Sequence, residues 1–138
     1  MKTLGIRHIA LNVADVQKTK EFYIRVMKMQ CEWEPDPDNV YLTSDGQDNL
    51  AIHRQNSPIN DTSSTGPLDH IGFAVSSPDE VDEWSLWVKT CGAKILKELK
   101  THRDGARSFY FEDPNGVVIQ LIYHPPIANR AFKQATAD

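Results

Sequence analysis

The sequence predicts an α+β fold made of two duplicated βαβββ units, and three observations lead to this prediction. Two apolar runs each carry one histidine near their start, and these histidines, His8 and His70, stand 62 positions apart in a chain of 138 residues. A segment with helical spacing follows each run, and its first large aromatic residue, Phe22 or Trp84, lies 14 positions after the histidine. Three strand candidates then follow in each half. We therefore interpret the chain as an internal duplication.

The first unit covers about residues 5–55. Its first strand spans 6–13, an apolar run whose side chains alternate between two faces. Asp15 is the expected N-cap of the following helix, because its side chain can accept a hydrogen bond from the first helical turn. Apolar residues at helical spacing continue this helix to about Met29. Turns rich in proline, aspartate and glycine then separate three strands, predicted at 30–34, 39–44 and 49–54.

The second unit covers about residues 68–124 and repeats the same order after a polar linker at 56–67. Ser77 and Pro78 open its helix, since proline is favoured at the first helical position, and Gly92 ends it. A tail at 125–138 has weak periodicity. We expect one domain over 1–138, with the remaining strands of the second unit at 94–99, 106–112 and 117–123.

Composition and charge limit the classes of function. With 40% hydrophobic and 25% charged residues, the chain is typical of soluble globular proteins. Its net charge of −4 argues against nucleic acid as a partner, because a protein surface that binds nucleic acid is usually basic. No apolar run reaches the roughly 18 residues of a membrane span, and the N-terminus lacks the apolar stretch of a signal peptide. We therefore expect a cytoplasmic protein with no membrane contact.

The two duplicated histidines are the strongest functional signal. In a strand, alternate side chains share a face, so His8 lies beside Ala10, and His70 lies beside Gly72. Small neighbours leave room around each imidazole, and neutral imidazole is the commonest metal ligand. A hydrogen-bonded core histidine is the alternative explanation for either residue. Because the two histidines hold equivalent places in a repeat, the pattern favours a shared polar or metal site.

Several motifs together resemble the vicinal oxygen chelate superfamily. They are the strand openings His-Ile-Ala-Leu-Asn-Val at 8–13 and His-Ile-Gly-Phe-Ala-Val at 70–75, the Glu-Phe-Tyr of the first helix at 21–23, and Phe-Glu-Asp-Pro-Asn-Gly-Val-Val-Ile-Gln-Leu at 111–121. The resemblance covers roughly residues 5–124. This superfamily includes glyoxalase I, extradiol dioxygenases, fosfomycin-resistance transferases, methylmalonyl-CoA epimerase and bleomycin-resistance proteins.

The resemblance implies a cup of curled mixed sheets that holds a divalent metal, with ligands from the first and last strand of each unit. The matching positions are His8, His70 and Gln120, with His53 as a potential fourth ligand. Enzymes of the superfamily usually carry Glu where this chain has Gln120. A neutral set of this kind suits Fe, Ni, Zn or Cu better than Mg or Ca. The resemblance implies a divalent metal as the cofactor, and we expect Fe, Ni, Zn or Mn. A homodimer is also expected, with the site lying within one chain or across two.

Replacing Glu by Gln at position 120 restricts the chemistry, because an amide cannot abstract a proton. The resemblance still favours a metal-dependent enzyme of the glyoxalase or dioxygenase type, a lyase or oxidoreductase, in which the metal polarises vicinal oxygens of a small substrate. The alternative is a metal-free small-molecule binding protein of the bleomycin-resistance type that uses the same cup.

Four further residues are candidate substrate contacts. Arg103 and Arg107 flank a flexible Asp-Gly and could bind a carboxylate or phosphate through paired hydrogen bonds, although an ordinary solvated hairpin explains them equally well. Phe109 shares a strand face with Arg107, so an aromatic floor with one cation is expected if that face points inward. Asn12 lies on the same strand face as His8. The sequence does not decide which face of the 106–112 strand is inward.

Overall fold

The computed structural model describes residues 6–55, 68 and 70–128. The chain divides into two compact units, 1–63 and 64–138, and each is described by itself. The predicted linker at 56–67 and the tail from 129 onward lie outside the described residues. None of the helices in the described part of the chain has the length and apolar character that crossing a bilayer requires.

The described residues of the first unit form one helix and one four-stranded mixed sheet. The strand order is β1-β4-β3-β2, in which β1 runs parallel to β4 and the other neighbours are antiparallel. The elements in chain order are β1 (His8–Val13), α1 (Val16–Arg25), β2 (Gln30–Asp36), β3 (Asn39–Thr43) and β4 (Asn49–Arg54).

The second unit repeats this arrangement, with strand order β5-β8-β7-β6 and β5 parallel to β8. Its elements are β5 (Ile71–Val75), α2 (Pro78–Thr90), β6 (Ile95–Thr101), β7 (Arg107–Glu112) and β8 (Val118–Tyr123). The duplicated βαβββ order predicted from the sequence is therefore confirmed.

The first helix ends earlier than its apolar periodicity indicates. It stops at Arg25, whereas the sequence predicts a helix to about Met29. The backbone turns at Lys28, whose φ is 58°. This left-handed conformation is usually adopted by glycine at the end of a helix. The Met29 amide then donates to the Tyr23 carbonyl at 3.2 Å, which closes the last turn. Apolar side chains continue past the helix because they still face the core.

The second helix begins with a complete capping box. The Glu80 amide donates to the Ser77 hydroxyl at 3.3 Å, and the Glu80 carboxylate accepts from the Ser77 amide at 3.1 Å. The same carboxylate also accepts from the amide and hydroxyl of Ser76, at 2.7 and 2.6 Å. These hydrogen bonds from Ser76, reinforced by the one from Ser77, hold the pKa of Glu80 below its ordinary value of 4.5, although desolvation opposes the shift.

One face of each sheet packs against the helix of its own unit and forms the core. The alternation of side chains along each strand sends every second residue to this face. Fully buried side chains of the first unit include Val16, Tyr23, Val40 and Ile52, and those of the second unit include Val81, Val88, Phe109, Phe111 and Ile119. The opposite face of each sheet, here called its open face, carries the duplicated histidines.

Candidate metal centre

The open face of the first unit carries His8 at the start of β1. His8, Ala10 and Asn12 are exposed, whereas Leu11 and Val13 between and beyond them are buried, as the strand alternation predicts. Asn12, a candidate substrate contact, is therefore accessible on the same face as the histidine.

An amide and a carboxylate orient the His8 ring. His8 Nδ1 lies 2.7 Å from Asn49 Oδ1, and Asn49 Nδ2 donates to Glu32 Oε2 at 2.8 Å. Because the Asn49 nitrogen donates to the carboxylate, its oxygen is the acceptor, and His8 Nδ1 must carry the proton. The tautomer then leaves the Nε2 lone pair for a ligand. In metal-binding histidines, the ring nitrogen that does not bind the metal usually donates a hydrogen bond to a neighbouring group.

A similar chain of hydrogen bonds holds His53. Its Nδ1 lies 2.6 Å from Asn39 Oδ1, and Asn39 Nδ2 donates to both Asp36 oxygens at 2.9 and 3.0 Å. His53 pairs with Asn12 across β4 and β1 and is half-buried. It therefore lies on the open face, at the other end of the strand pair from His8 and Asn49.

In the second unit the structure brings His70 and Gln120 together. His70 Nε2 lies 3.1 Å from Gln120 Oε1, although 50 residues separate them in the chain. The parallel pairing of β5 with β8 causes this contact, because Gly72 is the direct partner of Gln120. The Gln120 side chain reaches along the open face to the imidazole, and a Cβ on Gly72 would lie in ordinary contact with it, 3.9 Å from Oε1.

Tyr110 completes this cluster, although it was not among the site residues predicted from the sequence. Gln120 Nε2 donates to the Tyr110 hydroxyl at 2.8 Å, and the Tyr110 ring meets the His70 ring edge-on at 5.4 Å between centroids. Lys97 Nζ lies 5.0 Å from the centroid of the Tyr110 ring. Tyr110 is the antiparallel partner of Gln120 and lies on the sheet face opposite to Phe109; the sequence pattern alone does not show which of these two rings faces the site.

Two candidate substrate contacts lie on the other side of this sheet. Arg107 donates to Asp82 of α2 at 2.7 Å and to Thr101 at 2.8 Å, so its guanidinium is held beside the helix. Phe109 is fully buried and stacks on Phe111 with centroids 5.4 Å apart. This placement does not favour a substrate contact by Arg107 or Phe109. We therefore leave both residues out of the proposed site.

The remaining candidate, Arg103, lies exposed in the hairpin loop between β6 and β7. Nearby, His102 Nε2 lies 3.1 Å from the Ser108 hydroxyl, and the Ala106 amide donates to the Asp104 carboxylate at 3.0 Å. These contacts describe an ordered hairpin. They neither bring Arg103 into the His70 cluster nor give it a separate partner that identifies a ligand.

The duplicated units differ at the position of Gln120. In the first unit, Ala51 pairs with Ala10 and Tyr41, just as Gln120 pairs with Gly72 and Tyr110 in the second. Ala51 offers no donor atom. In its place, Tyr41 stacks on Trp33 with centroids 5.1 Å apart, and the Trp33 side chain remains 58% exposed. The first unit thus contributes an aromatic surface where the second contributes an amide oxygen.

The His70 and Gln120 atoms fit a shared divalent ion. Two ligand atoms that each lie ~2.1 Å from one ion and meet it at a right angle are separated by about 3.0 Å. His70 Nε2 and Gln120 Oε1 are separated by 3.1 Å. Both atoms face the open side of the sheet, and imidazole with amide oxygen suits a borderline divalent metal. Among the described residues, no three His, Cys, Asp or Glu side chains form a cluster that could hold a metal ion.

Comparison with known proteins agrees with the fold. The family model of the Glyoxalase/Bleomycin resistance protein/Dioxygenase superfamily matches residues 5–121. The chain therefore belongs to this superfamily, and the resemblance drawn from the histidine-led strands and the second-unit turn is confirmed.

Particular relatives can also be named. The chain is 28% identical over 122 residues to Metallothiol transferase FosB from Staphylococcus epidermidis (strain ATCC 12228 / FDA PCI 1200), a match that covers 88% of this chain and 82% of the relative. It is 26% identical over 118 residues to the FosB of Staphylococcus saprophyticus, covering 85% and 75%. Among solved structures, lactoylglutathione lyase from Agrobacterium tumefaciens aligns with a TM-score of 0.72 at 21% identity, covering 89% and 96%. At that identity the structural likeness supports the fold.

Proposed function

We propose that this chain is a metal-dependent enzyme of the vicinal oxygen chelate type, which acts on a small substrate that carries two neighbouring oxygens. The observation that carries the proposal is the 3.1 Å approach of Gln120 Oε1 to His70 Nε2 on the open face. The named metallothiol transferases among the relatives support a divalent metal. A bound divalent ion would act as a Lewis acid and polarise the substrate oxygens.

In the proposed site, His70 and Gln120 hold the ion from the second unit, and His8 supplies a third ligand. The Asn49 and Glu32 side chains support this role of His8, because they fix the tautomer in which Nε2 can bind a metal. His53 is oriented in the same way by Asn39, but it lies at the other end of the β1 and β4 pair from His8, so we leave it out of the proposed ligand set. We expect Fe, Ni, Zn or Mn as the metal.

The amide at position 120 favours group transfer over proton abstraction. Gln120 cannot act as a general base, so the proton transfers of a glyoxalase-type lyase would lack their usual residue. Transfer of a thiol needs no such base from this position, because a thiolate is itself the nucleophile. The FosB relatives are named metallothiol transferases, which agrees with this reaction class. We therefore propose thiol transfer to a metal-bound substrate ahead of the lyase and dioxygenase reactions.

Metal titration tests the proposal. Tag-free protein treated with a chelator and dialysed is titrated with Ni²⁺, Mn²⁺, Zn²⁺ and anaerobic Fe²⁺ by calorimetry. We expect one tight site for at least one of these ions, and a loss of that site in His70→Ala and His8→Ala. His124→Ala is the matched control, because it removes a histidine that follows β8 and is not part of the proposed ligand set. Failure of all four ions to bind would contradict the proposal.

A mixing experiment decides whether the ligands come from one chain or two. The His8→Ala and His70→Ala variants are unfolded together and refolded, so that dimers containing one copy of each can form. If His8 and His70 of different chains share an ion, half of the sites in a mixed dimer keep both histidines and metal binding returns. If both ligands come from one chain, every site lacks one histidine and binding stays absent. Light scattering on the same samples tests the expected homodimer.

Metal-free ligand binding remains the second candidate function. The observation that favours it is the exposed Trp33 ring stacked on the half-buried Tyr41, which offers a flat aromatic surface to a planar or cationic compound. In addition, His70, Gln120 and Tyr110 already satisfy one another by hydrogen bonds. Under this alternative, His8→Ala leaves the affinity for such a compound unchanged, whereas Trp33→Ala weakens it.

A further inference from the structure

We propose that His53 is the hydrogen-bond acceptor of a second binding subsite on the open face of the first unit, and that this subsite takes an N–H or O–H donor carried by a planar group. The subsite is separate from the proposed metal centre. His53 lies four positions along β4 from Asn49, the direct partner of His8, which is about 13 Å at the rise of a strand. The inference therefore stands whether or not His8 binds a metal.

The carboxylate of Asp36 fixes the orientation of the Asn39 amide. An ionised carboxylate only accepts hydrogen bonds, so the group that lies 2.9 and 3.0 Å from its two oxygens must be the amide nitrogen, Asn39 Nδ2. The amide oxygen then faces His53, whose Nδ1 lies 2.6 Å away. Because an amide oxygen cannot donate, His53 Nδ1 carries a proton, and Nε2 of the neutral ring keeps its lone pair.

The surroundings of His53 suit a small planar ligand. Within the described part of the chain, no hydrogen bond is made to His53 Nε2, and the residue is half-buried on the open face. The Tyr41 ring meets the imidazole edge-on at 5.7 Å and is itself stacked with the exposed Trp33. Asn12, the strand partner of His53, is exposed beside it. An acceptor bordered by aromatic rings favours a flat group that carries a donor.

The fixed proton on Nδ1 gives the subsite its selectivity. The Nε2 lone pair attracts an N–H or O–H group and repels the oxygens of a carboxylate or phosphate. The negative charge of Asp36 at the end of the hydrogen-bonded chain polarises the imidazole and strengthens Nε2 as an acceptor. Benzamidine and benzoate are therefore matched probes, because they have the same ring and nearly the same shape. The amidinium group only donates, whereas the carboxylate only accepts.

The first measurement locates the proton on His53. Nitrogen-15 NMR of histidine-labelled protein is recorded at pH 8.5, where imidazole is generally neutral. We expect Nδ1–H with an unprotonated Nε2 in the native chain, and a mixture of both tautomers in Asn39→Leu, which removes the acceptor. Glu32→Gln is the matched control, since it changes the corresponding chain of hydrogen bonds at His8 and should leave His53 unchanged. A native His53 protonated at Nε2 would overturn the inference.

The second measurement is probe binding to chelator-treated protein, so that its outcome does not depend on a metal. We expect benzamidine to shift the His53 Nε2 resonance and benzoate to leave it in place. Loss of one hydrogen bond to a charged partner typically weakens binding by about tenfold or more. His53→Phe should therefore weaken benzamidine binding at least tenfold, whereas His124→Phe, the same substitution in the second unit, should not. Equal shifts with the two probes, or unchanged benzamidine affinity in His53→Phe, would refute the subsite and leave the proposed metal centre untouched.

Discussion

The capping carboxylate of the second helix gives a stability prediction with a definite pH dependence. Glu80 accepts three hydrogen bonds at the start of α2, from the amide and hydroxyl of Ser76 and from the amide of Ser77. Glu80→Gln keeps one acceptor oxygen but removes the negative charge. Each hydrogen bond to a charged group contributes about 1.5–3 kcal/mol when well shielded. Because Glu80 is partly exposed and solvent screens its charge, we expect a total cost of about 1–2 kcal/mol at pH 7.

The sign of the pH dependence follows from the lowered pKa of Glu80, which the hydrogen bonds from Ser76 chiefly cause. A carboxyl with a lower pKa in the folded state stabilises the protein above its unfolded pKa, and this stabilisation is lost as the pH falls through the folded value. The ordinary value is 4.5. The difference between the native chain and Glu80→Gln should therefore be full at pH 7 and smaller at about pH 3.

Thermal unfolding followed by circular dichroism at the two pH values measures this difference. For a chain of this size, the expected cost lowers the midpoint by about 3–7 °C at pH 7. Glu83→Gln is the control, because Glu83 is an exposed glutamate on the same helix, and its substitution should change the midpoint little at either pH. If Glu80→Gln lowers the unfolding midpoint equally at pH 7 and pH 3, the effect does not come from the ionised carboxylate and the reasoning is refuted.

Three further predictions concern the sheets. Phe109→Ala should lower the free energy of unfolding by about 3–5 kcal/mol in urea titrations, since Phe109 is fully buried; a loss below about 1 kcal/mol would indicate that the ring faces a cavity instead of the core. Gln120→Glu should tighten Ni²⁺ binding about tenfold or more by calorimetry, because a charged ligand replaces a dipole, and weaker binding would argue against position 120 as a ligand. Trp33→Ala should cost about 0.5–1.5 kcal/mol by urea titration, through loss of its stacking on Tyr41, and an unchanged stability would show that this pair contributes nothing to folding.

The sequence predicted the order of helices and strands because the signals for these elements are local. Asp15 does cap α1, accepting from the Lys18 amide at 2.9 Å, and Ser77 with Glu80 does form the start of α2. The predicted end of α1 at about Met29 was wrong. The side-chain periodicity continues beyond Arg25, whereas the backbone turns at Lys28. Periodicity reports which side chains face the core and does not report where the helical hydrogen bonds stop.

The site could be predicted less well from the sequence, because it depends on the strand register and on which face of each sheet the helix covers. On β7, aromatic rings alternate onto both faces, as Phe109 and Tyr110, so the pattern does not show which ring is buried. The approach of Gln120 to His70 and the support of His8 by Asn49 arise from pairings between strands about 40 to 50 residues apart. The spacing of residues along the chain does not predict these pairings.

Anomalous diffraction tests the proposed metal centre most directly. Crystals of tag-free protein grown with Ni²⁺ or Zn²⁺ are measured on both sides of the absorption edge of that metal. We expect an anomalous peak in contact with His70 Nε2 and Gln120 Oε1, with His8 of the same or a second chain as a further ligand. The absence of a peak, or a peak elsewhere, such as beside His53 and Asp36, with none at His70, would contradict the proposal.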